Sequence, residues 1–307
     1  MDSMEVTLGG ITLRNPVVLA AGTSGVIGEI GDAIDLEKLG AITTKSITAD
    51  PREGNQPLRI ADVPKGMINA IGLANGGIED FVTNYAPNCK NIDTTIIGSI
   101  AGDSIESYVQ VAKAMDNIDG IDLVEINVSC PNTSDGLEFG SCPTKLTELL
   151  TAIKPVLQST GMIVKLSAAC GDIRPHAEAA IHCGADALTL INTLPAMAID
   201  PNTKIPHITR GIGGLSGPAI HPIAVRVVHE VYQDVARKAN VPIIGTGGVL
   251  HWEDAAEFIL AGATAIGIGT ALFVNPVISV KIAKKLEQWV KKQGCQSVNE
   301  LVGQVLI

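Results

Sequence analysis

The sequence predicts a (β/α)8 barrel, in which eight parallel strands alternate with helices and close into a cylinder. Short β-branched runs alternate with helical stretches along the chain, which is the pattern of repeated βα units. The 307 residues are enough for eight such units with insertions. Aromatic residues make up only 3% and apolar residues 46%, so Val, Ile, Leu and Ala must fill the core, as in strands buried on both faces.

Eight short runs rich in Val, Ile and Leu are the predicted barrel strands. In chain order they are residues 17–20, 41–45, 95–99, 123–127, 162–166, 187–191, 242–246 and 265–269. Helices are predicted between them over residues 105–115, 146–158, 174–182, 223–239 and 252–261. Gly40, Gly184 and Gly262 each stand just before a strand, where the C-cap glycine of a helix is expected. An open, doubly wound parallel sheet is the alternative arrangement of the same units.

Two connections, residues 46–94 and 192–241, are too long for ordinary barrel loops. Both follow the carboxyl end of a predicted strand, so both are expected to lie over the face where barrel active sites form. We find no linker, repeat or low-complexity tract, and we therefore predict a single domain over residues 1–307.

Composition disfavours several classes of function. The 22 basic and 32 acidic residues give a net charge of −10, which disfavours nucleic acid as a partner. No apolar run is long enough to cross a membrane, and the acidic start does not resemble a signal peptide, so a cytoplasmic protein is expected. The 6 cysteines include no Cys-x-x-Cys pair, which disfavours a metal site, an iron–sulfur cluster or a disulfide framework within this chain.

Two lysines, Lys45 and Lys165, stand at the carboxyl ends of apolar strands. A buried ammonium group is costly unless it meets an anion or an electron-rich ring. A lysine whose ammonium reaches solvent is the alternative interpretation for each. Because the strand ends of a barrel converge, two lysines at equivalent positions favour a binding site for an anionic or aromatic ligand.

The last two predicted strands end at glycine-containing pairs, Gly247-Gly248 and Gly269-Thr270. Barrels hold phosphate groups at this place, on bare backbone N–H groups and a helix N-terminus. A third glycine-rich run, residues 211–218, is predicted to be a loop on the same face. Ordinary tight turns are the alternative, but three such loops on one face favour a phosphorylated cofactor.

The run from Asn127 to Asn132 follows the fourth strand and places Cys130 between two asparagines on the catalytic face. Asparagine amides do not titrate and bind polar edges, such as the N–H and C=O of a cyclic amide. Most cysteines in this chain are expected to be small buried apolar residues. Cys170 follows the fifth strand and is the other candidate for a reactive thiol, although it lacks amide neighbours.

Together these stretches resemble a known family over nearly the whole chain. The resemblance is carried by residues 44–48, 51–59, 66–75, 127–132, 190–194 and 213–220, and by the two C-terminal glycine pairs. The sequence resembles class 1 dihydroorotate dehydrogenases, and in particular the catalytic subunit of class 1B. The resemblance implies an FMN-containing barrel that oxidises (S)-dihydroorotate to orotate in pyrimidine biosynthesis.

The same resemblance implies roles for individual residues. Cys130 would remove the C5 proton of the substrate while C6 passes a hydride to flavin N5. The residues implied to hold the substrate are Lys45, Asn69, Ala70, Ile71, Gly72, Leu73, Asn127, Asn132, Asn192 and Thr193. The residues implied to hold FMN are Ala21, Gly22, Lys45, Ser46, Ser99, Asn127, Lys165, Ile191, Gly217, Gly247, Gly248, Gly269 and Thr270.

Several positions depart from the pattern of this family. Ser99 stands where asparagine is usual; serine still allows a hydrogen bond to flavin, but the difference weakens the assignment of this residue to the FMN site. Ala168 and Ala169 replace a Pro-Asn pair, and Gly76 replaces a proline. Residues 195–196 also differ. These changes concern loop rigidity and flavin tuning, and none removes an expected substrate contact.

The sequence does not identify the group that accepts electrons from reduced FMN. It has no iron–sulfur cysteine cluster and no second nucleotide-binding fingerprint. Class 1A relatives use fumarate. The residues 66–71 look more like class 1B, whose catalytic subunit forms a homodimer and pairs with a subunit carrying FAD and [2Fe–2S] that reaches NAD⁺. Five lysines within residues 281–292 could dock an acidic partner, and a solvated helix face is the alternative.

Two other functions are compatible with parts of the sequence. One is a different FMN barrel, such as a dihydropyrimidine or dihydrouridine-type oxidoreductase. An RNA substrate would require a basic face, which the net charge of −10 disfavours. The other is a flavin-binding protein without catalysis, which would leave the Asn–Cys–Asn cluster unexplained.

Overall fold

The computed structural model describes residues 3–27, 29–129 and 139–306. Cys130 and Asn132 therefore lie outside the described residues. In chain order the strands are β1 (Val6–Leu8), β2 (Ile11–Leu13), β3 (Val17–Leu19), β4 (Ala41–Thr43), β5 (Ile60–Val63), β6 (Gly66–Asn69), β7 (Thr95–Ile100), β8 (Leu123–Asn127), β9 (Gly161–Leu166), β10 (Ala187–Leu190), β11 (Leu194–Met197), β12 (Ile212–Ser216), β13 (Ile243–Thr246) and β14 (Ala265–Ile268).

Eight of these strands close into a parallel barrel in the order β3-β4-β7-β8-β9-β10-β13-β14, with β14 pairing back to β3. All eight predicted barrel strands are present, which confirms the (β/α)8 barrel over the open sheet. Their residues are almost all buried because helices cover the outside and side chains fill the inside. The short β1–β2 hairpin precedes the barrel.

Helices follow most barrel strands, as the alternating pattern predicts. They are α1 (Gly77–Asp80), α2 (Ala86–Cys89), α3 (Ile105–Asp116), α4 (Pro143–Ile153), α5 (Arg174–His182), α6 (His221–Val231), α7 (Arg237–Ala239), α8 (Trp252–Ala261), α9 (Ala271–Val274) and α10 (Ile278–Lys292). The π-helical segments Phe81–Tyr85 and Tyr232–Ala236 join α1 to α2 and α6 to α7. No helix in the described ranges is both long and apolar enough to span a bilayer.

The two long connections meet in one antiparallel sheet, in the order β11-β12-β6-β5. We call this the cap sheet. β6 comes from the first connection and β12 from the second, and the register pairs Asn69 with Gly214. Both connections leave the carboxyl ends of barrel strands, so the cap sheet lies over the face where barrel active sites form.

Two glycine predictions are corrected by the structure. The run 211–218 is not simply a loop, because residues 212–216 form β12. A Cβ on Gly213 would lie 2.5 Å from the Asn69 carbonyl oxygen, so glycine allows β12 to approach β6 closely. Gly40 does not have the positive φ of a C-cap glycine; a Cβ there would lie 1.9 Å from the Asn15 carbonyl oxygen. Both positions are glycine because of close backbone contacts.

Candidate active site

A cavity of about 430 Å³ opens at the carboxyl ends of the barrel strands, within the size range of small-molecule sites (~300–1,000 Å³). Strand-end residues of the barrel and side chains of the cap sheet line it together. The lining residues are Ala20, Ala21, Gly22, Thr23, Lys45, Ser46, Ile60, Met67, Asn69, Ile71, Leu73, Asn127, Lys165, Ile191, Asn192, Thr193, Ser216, Gly217, Ile220, Thr246, Gly247, Gly248, Gly269, Thr270 and Phe273.

Polar side chains at or after the ends of β4, β7, β8 and β10 form a hydrogen-bonded chain beside this cavity. The hydroxyl oxygens of Ser46 and Ser99 lie 2.8 Å apart. Asn127 Nδ2 donates to Ser46 Oγ at 3.3 Å, and Asn192 Nδ2 donates to Asn127 Oδ1 at 3.1 Å. These contacts fix the amide planes before any ligand binds, so the amide edges are preorganised for a polar ring.

The two strand-end lysines both face the cavity. Lys165 is buried, and its Nζ lies 3.7 Å from Glu125 Oε1 in the barrel interior. Lys45 is half-buried at the end of β4. Neither lysine is placed like a surface side chain whose ammonium extends into bulk water. The cavity therefore presents two cations to whatever it binds.

The electrostatic surroundings of Lys45 favour an anionic ligand. Burial lowers the pKa of the Lys45 ammonium below its ordinary range, and the positive charge of Arg59 lowers it further. The carboxylate of Glu29 acts in the opposite direction but does not cancel these effects. A carboxylate placed beside Lys45 would stabilise the charged form and offset the cost of burying it.

The family resemblance implies that Lys45 binds the substrate, and the lowered pKa of Lys45 then predicts how the binding of the product orotate depends on pH. The charged form of Lys45 is fully present well below its lowered pKa and is lost as the pH rises through it. Orotate affinity, measured by calorimetric titration, should therefore fall as the pH is raised from neutral to alkaline. The fall should occur at a lower pH than that at which an ordinary lysine loses its proton.

Arg59→Gln is the matched control. It removes the positive charge of Arg59, which lowers the pKa of Lys45, and should therefore move the midpoint of this fall to higher pH. Titration of orotate itself is common to both proteins, so the difference between them reports on Lys45. Identical midpoints would contradict the interaction between Arg59 and Lys45.

The opposite end of the cavity is lined by backbone from the last two barrel strands. The N–H groups of Gly247, Gly248, Gly269 and Thr270 donate no hydrogen bond to any group of the described chain. A Cβ on Gly248 would lie 2.7 Å from the Gly217 carbonyl oxygen, so the loops pack too closely for a side chain. Unused N–H groups at a barrel strand end are suited to a phosphate group.

Comparison with known proteins connects this geometry to a family. The family model described as dihydroorotate dehydrogenase matches residues 3–290. The chain belongs to the dihydroorotate dehydrogenase family. The resemblance found in the sequence is thereby confirmed.

Among curated members of the dihydroorotate dehydrogenase family, a protein of Thermoanaerobacter sp. (strain X514) is 43% identical over 306 residues, covering 99% of each chain. One of Caldicellulosiruptor bescii is 44% identical over 99% of this chain and 100% of its own. Both are named dihydroorotate dehydrogenase B (NAD(+)), catalytic subunit. This likeness confirms class 1B as the group that the chain resembles.

A solved family structure, the DHODH of Eimeria tenella in complex with ferulenol, matches 98% of this chain and 88% of its own with a TM-score of 0.83. Its sequence identity is 22%, so this likeness concerns the fold alone.

Most residues that the family resemblance implicated line the cavity. Three do not. Ser99 is fully buried and contacts Ser46 beneath the cavity surface. Ala70 and Gly72 belong to the adjoining loop, where Asn55 Nδ2 donates to the Ala70 carbonyl oxygen at 2.9 Å. The roles that the resemblance implies for these three residues stay predictions, as do those of Cys130 and Asn132, which lie outside the described ranges.

Several cavity residues were not predicted from the sequence. They are Ala20, Thr23, Ile60, Met67, Ser216, Ile220, Thr246 and Phe273. Glu125 was also not predicted as a functional residue. Its position within an apolar strand is a signal in the sequence, because burying a carboxylate costs free energy. The cap-sheet residues gave no such signal, because their approach to the barrel depends on long-range pairing.

Proposed function

We propose that this chain is the catalytic subunit of an FMN-dependent dihydroorotate dehydrogenase, which oxidises (S)-dihydroorotate to orotate in pyrimidine biosynthesis. Membership of the family gives the reaction. We assign the reaction to this cavity because its two ends differ in the groups that line them. Lysine and asparagine side chains line one end, and backbone N–H groups without a partner in the described chain line the other.

The first end suits a cyclic imide that carries a carboxylate. Lys45 provides the cation for the carboxylate; burial and the charge of Arg59 lower the pKa of its ammonium, and a neighbouring carboxylate would stabilise the charged form. Asn69, Asn127 and Asn192 provide amide donors and acceptors for ring N–H and C=O groups. Asn69 Nδ2 donates to the Gly214 carbonyl oxygen at 3.2 Å, which holds it on the cap sheet.

The second end and the centre fit FMN. Gly247, Gly248, Gly269 and Thr270 offer N–H groups for its phosphate. Ile191 and Ala21 give apolar surface for the rings, and a Cβ on Gly22 would meet nothing within 4 Å, so the cavity wall is open there. FMN, when bound, supplies the acceptor for a hydride from the substrate.

We propose Cys130 as the general base. In the sequence it stands three residues after Asn127, which ends β8 and lines the cavity. A free thiol has a pKa of about 8.5, so the reaction should be faster at alkaline pH, where more thiolate is present. Lys45 and the asparagines would hold the substrate while the proton leaves C5.

The test is anaerobic mixing of the purified protein with dihydroorotate. The protein should be yellow, and the flavin absorption should bleach when dihydroorotate is added. A protein that binds no flavin would contradict the FMN assignment. A yellow protein whose spectrum responds to neither dihydroorotate nor orotate would indicate a different substrate, such as another dihydropyrimidine.

For the electron acceptor we propose NAD⁺, reached through a separate subunit that carries FAD and [2Fe–2S]. The names of the relatives support this, because each is a catalytic subunit associated with NAD(+). The purified chain with FMN should reduce artificial acceptors but not NAD⁺, and addition of the partner subunit should restore NAD⁺ reduction. Efficient NAD⁺ reduction by the chain alone would contradict this, and rapid fumarate reduction would indicate class 1A.

We also propose that the chain forms a homodimer. Exposed apolar side chains on and beside the cap sheet support this, since such a patch is characteristic of an interface. Met197 and Ile212 are cross-strand neighbours and are 50% and 58% exposed. Leu58, Ile199 and Ile205 are also largely exposed in the adjoining segments.

A further inference from the structure

We propose that Glu125 is a positioning residue that acts on the bound flavin through Lys165; this inference rests on the proposed binding of FMN in the cavity. Glu125 is 2% exposed and lies on β8, two residues before Asn127, so both point into the barrel. Its Oε2 accepts a hydrogen bond from Thr189 Oγ1 at 2.8 Å. Its Oε1 has no hydrogen-bond partner in the described part of the chain and lies 3.7 Å from Lys165 Nζ.

A carboxylate enclosed in a barrel core requires a compensating positive charge, because an unpaired buried charge is strongly destabilising. Lys165 is the cation that meets this requirement, and it is itself only 6% exposed. Thr189 lies on β10, on the far side of the Lys165 strand β9, and donates a hydrogen bond to the other carboxylate oxygen of Glu125. The position of the Lys165 ammonium is thus restrained from below by the charge of the Glu125 carboxylate.

The separation of 3.7 Å between Oε1 and Nζ is also informative. It is longer than a hydrogen bond, so the attraction does not use a donor of the ammonium group. Within the described ranges the Lys165 ammonium donates no hydrogen bond, and Lys165 lines the cavity. Its N–H groups are therefore available to an electron-rich atom in the cavity while Glu125 restrains the nitrogen.

Glu125 should also limit the positive potential that Lys165 creates at the flavin. A positive charge close to a flavin stabilises the negative charge that the ring system gains on reduction. A carboxylate just below the ammonium offsets part of that effect. Lys45 differs, because its neighbour Arg59 is a second cation. The two lysines of the cavity therefore have different roles, and Glu125 creates the difference.

Glu125→Gln tests this role, because glutamine keeps the size of the side chain and an acceptor for Thr189 but removes the charge. The measurement is the flavin reduction potential of the FMN-loaded protein, obtained by equilibration with a reference dye. The variant should favour reduced flavin by about tenfold, which is ~30 mV for a two-electron couple. Circular dichroism and FMN content establish that the variant is folded and loaded.

Two controls separate action through Lys165 from a structural role. In the Lys165→Met background, Glu125→Gln should shift the ratio of reduced to oxidised flavin by less than about twofold, the scatter of independent substitutions. Thr189→Val removes the hydrogen bond to the Glu125 carboxylate without changing any charge, and should leave the potential nearly unchanged.

Three results would overturn the inference: an unchanged or lowered potential in Glu125→Gln, an equal shift in both backgrounds, or an equal shift in Thr189→Val. These results differ from a failure of the proposed function, in which the wild-type protein would bind no FMN. That failure would overturn both proposals.

Discussion

Replacing Cys130 by alanine should slow reduction of the bound flavin by dihydroorotate by at least about 100-fold, the usual contribution of a positioned general base. Alanine cannot accept the C5 proton, whereas the residues proposed to hold FMN are unchanged. Stopped-flow absorbance under anaerobic conditions gives the rate directly. FMN content and orotate affinity should stay near the wild-type values, which would assign the defect to proton removal.

Cys170→Ala is the matched control, since Cys170 is the other thiol that follows a barrel strand on this side. The structure places Cys170 in the short 3-10 segment Ala168–Cys170, where its thiol donates to the Ser167 carbonyl oxygen at 3.2 Å. Cys170 does not belong to the described lining of the cavity. Its substitution should leave the rate nearly unchanged; a large loss in Cys170→Ala and none in Cys130→Ala would reverse the assignment.

Replacing Lys45 by methionine should weaken the binding of dihydroorotate and also slow flavin reduction. Methionine keeps much of the side-chain volume but removes the cation proposed to meet the substrate carboxylate. Loss of one partner from a buried charge pair costs about 2–5 kcal/mol, and the half-buried position of Lys45 favours the lower end, roughly 30-fold in affinity. Orotate titration and the dependence of the bleaching rate on dihydroorotate concentration measure the two effects separately.

Two variants make this result specific. Lys38→Met removes a lysine that is exposed, paired with Asp35 at 2.9 Å and not part of the cavity lining, and should change neither quantity. Lys45→Arg keeps the charge and should recover part of the affinity. Wild-type affinity and rate in Lys45→Met would show that this lysine does not contact the substrate.

The arrangement of charge in the site follows from the layers inside the barrel. Asn127 and Lys165 are neighbours in the register of β8 and β9, and Thr189 is the neighbour of Lys165 on β10. Glu125 lies one layer lower, since side chains two residues apart on a strand point the same way. One sector of the barrel thus carries Glu125, Asn127, Lys165 and Thr189 together.

The sequence by itself determined the barrel and much of the site. Strands such as 123–127 are visible because a β-branched run between helical stretches is a local pattern, and each was placed within a few residues of its observed bounds. Since the carboxyl ends of barrel strands converge, Lys45, Asn127 and Lys165 could be brought together without coordinates. The family resemblance then supplied the chemistry for that face.

Only the tertiary structure decided how the two long connections fold and which interior groups meet. The cap sheet pairs Asn69 with Gly214, and no local pattern specifies a partner so far along the chain. The contact between the hydroxyl groups of Ser99 and Ser46 depends on the packing of β7 against β4, which the sequence does not specify. The pairing of Glu125 with Lys165 likewise depends on the stagger between neighbouring strands, which side-chain periodicity alone does not determine.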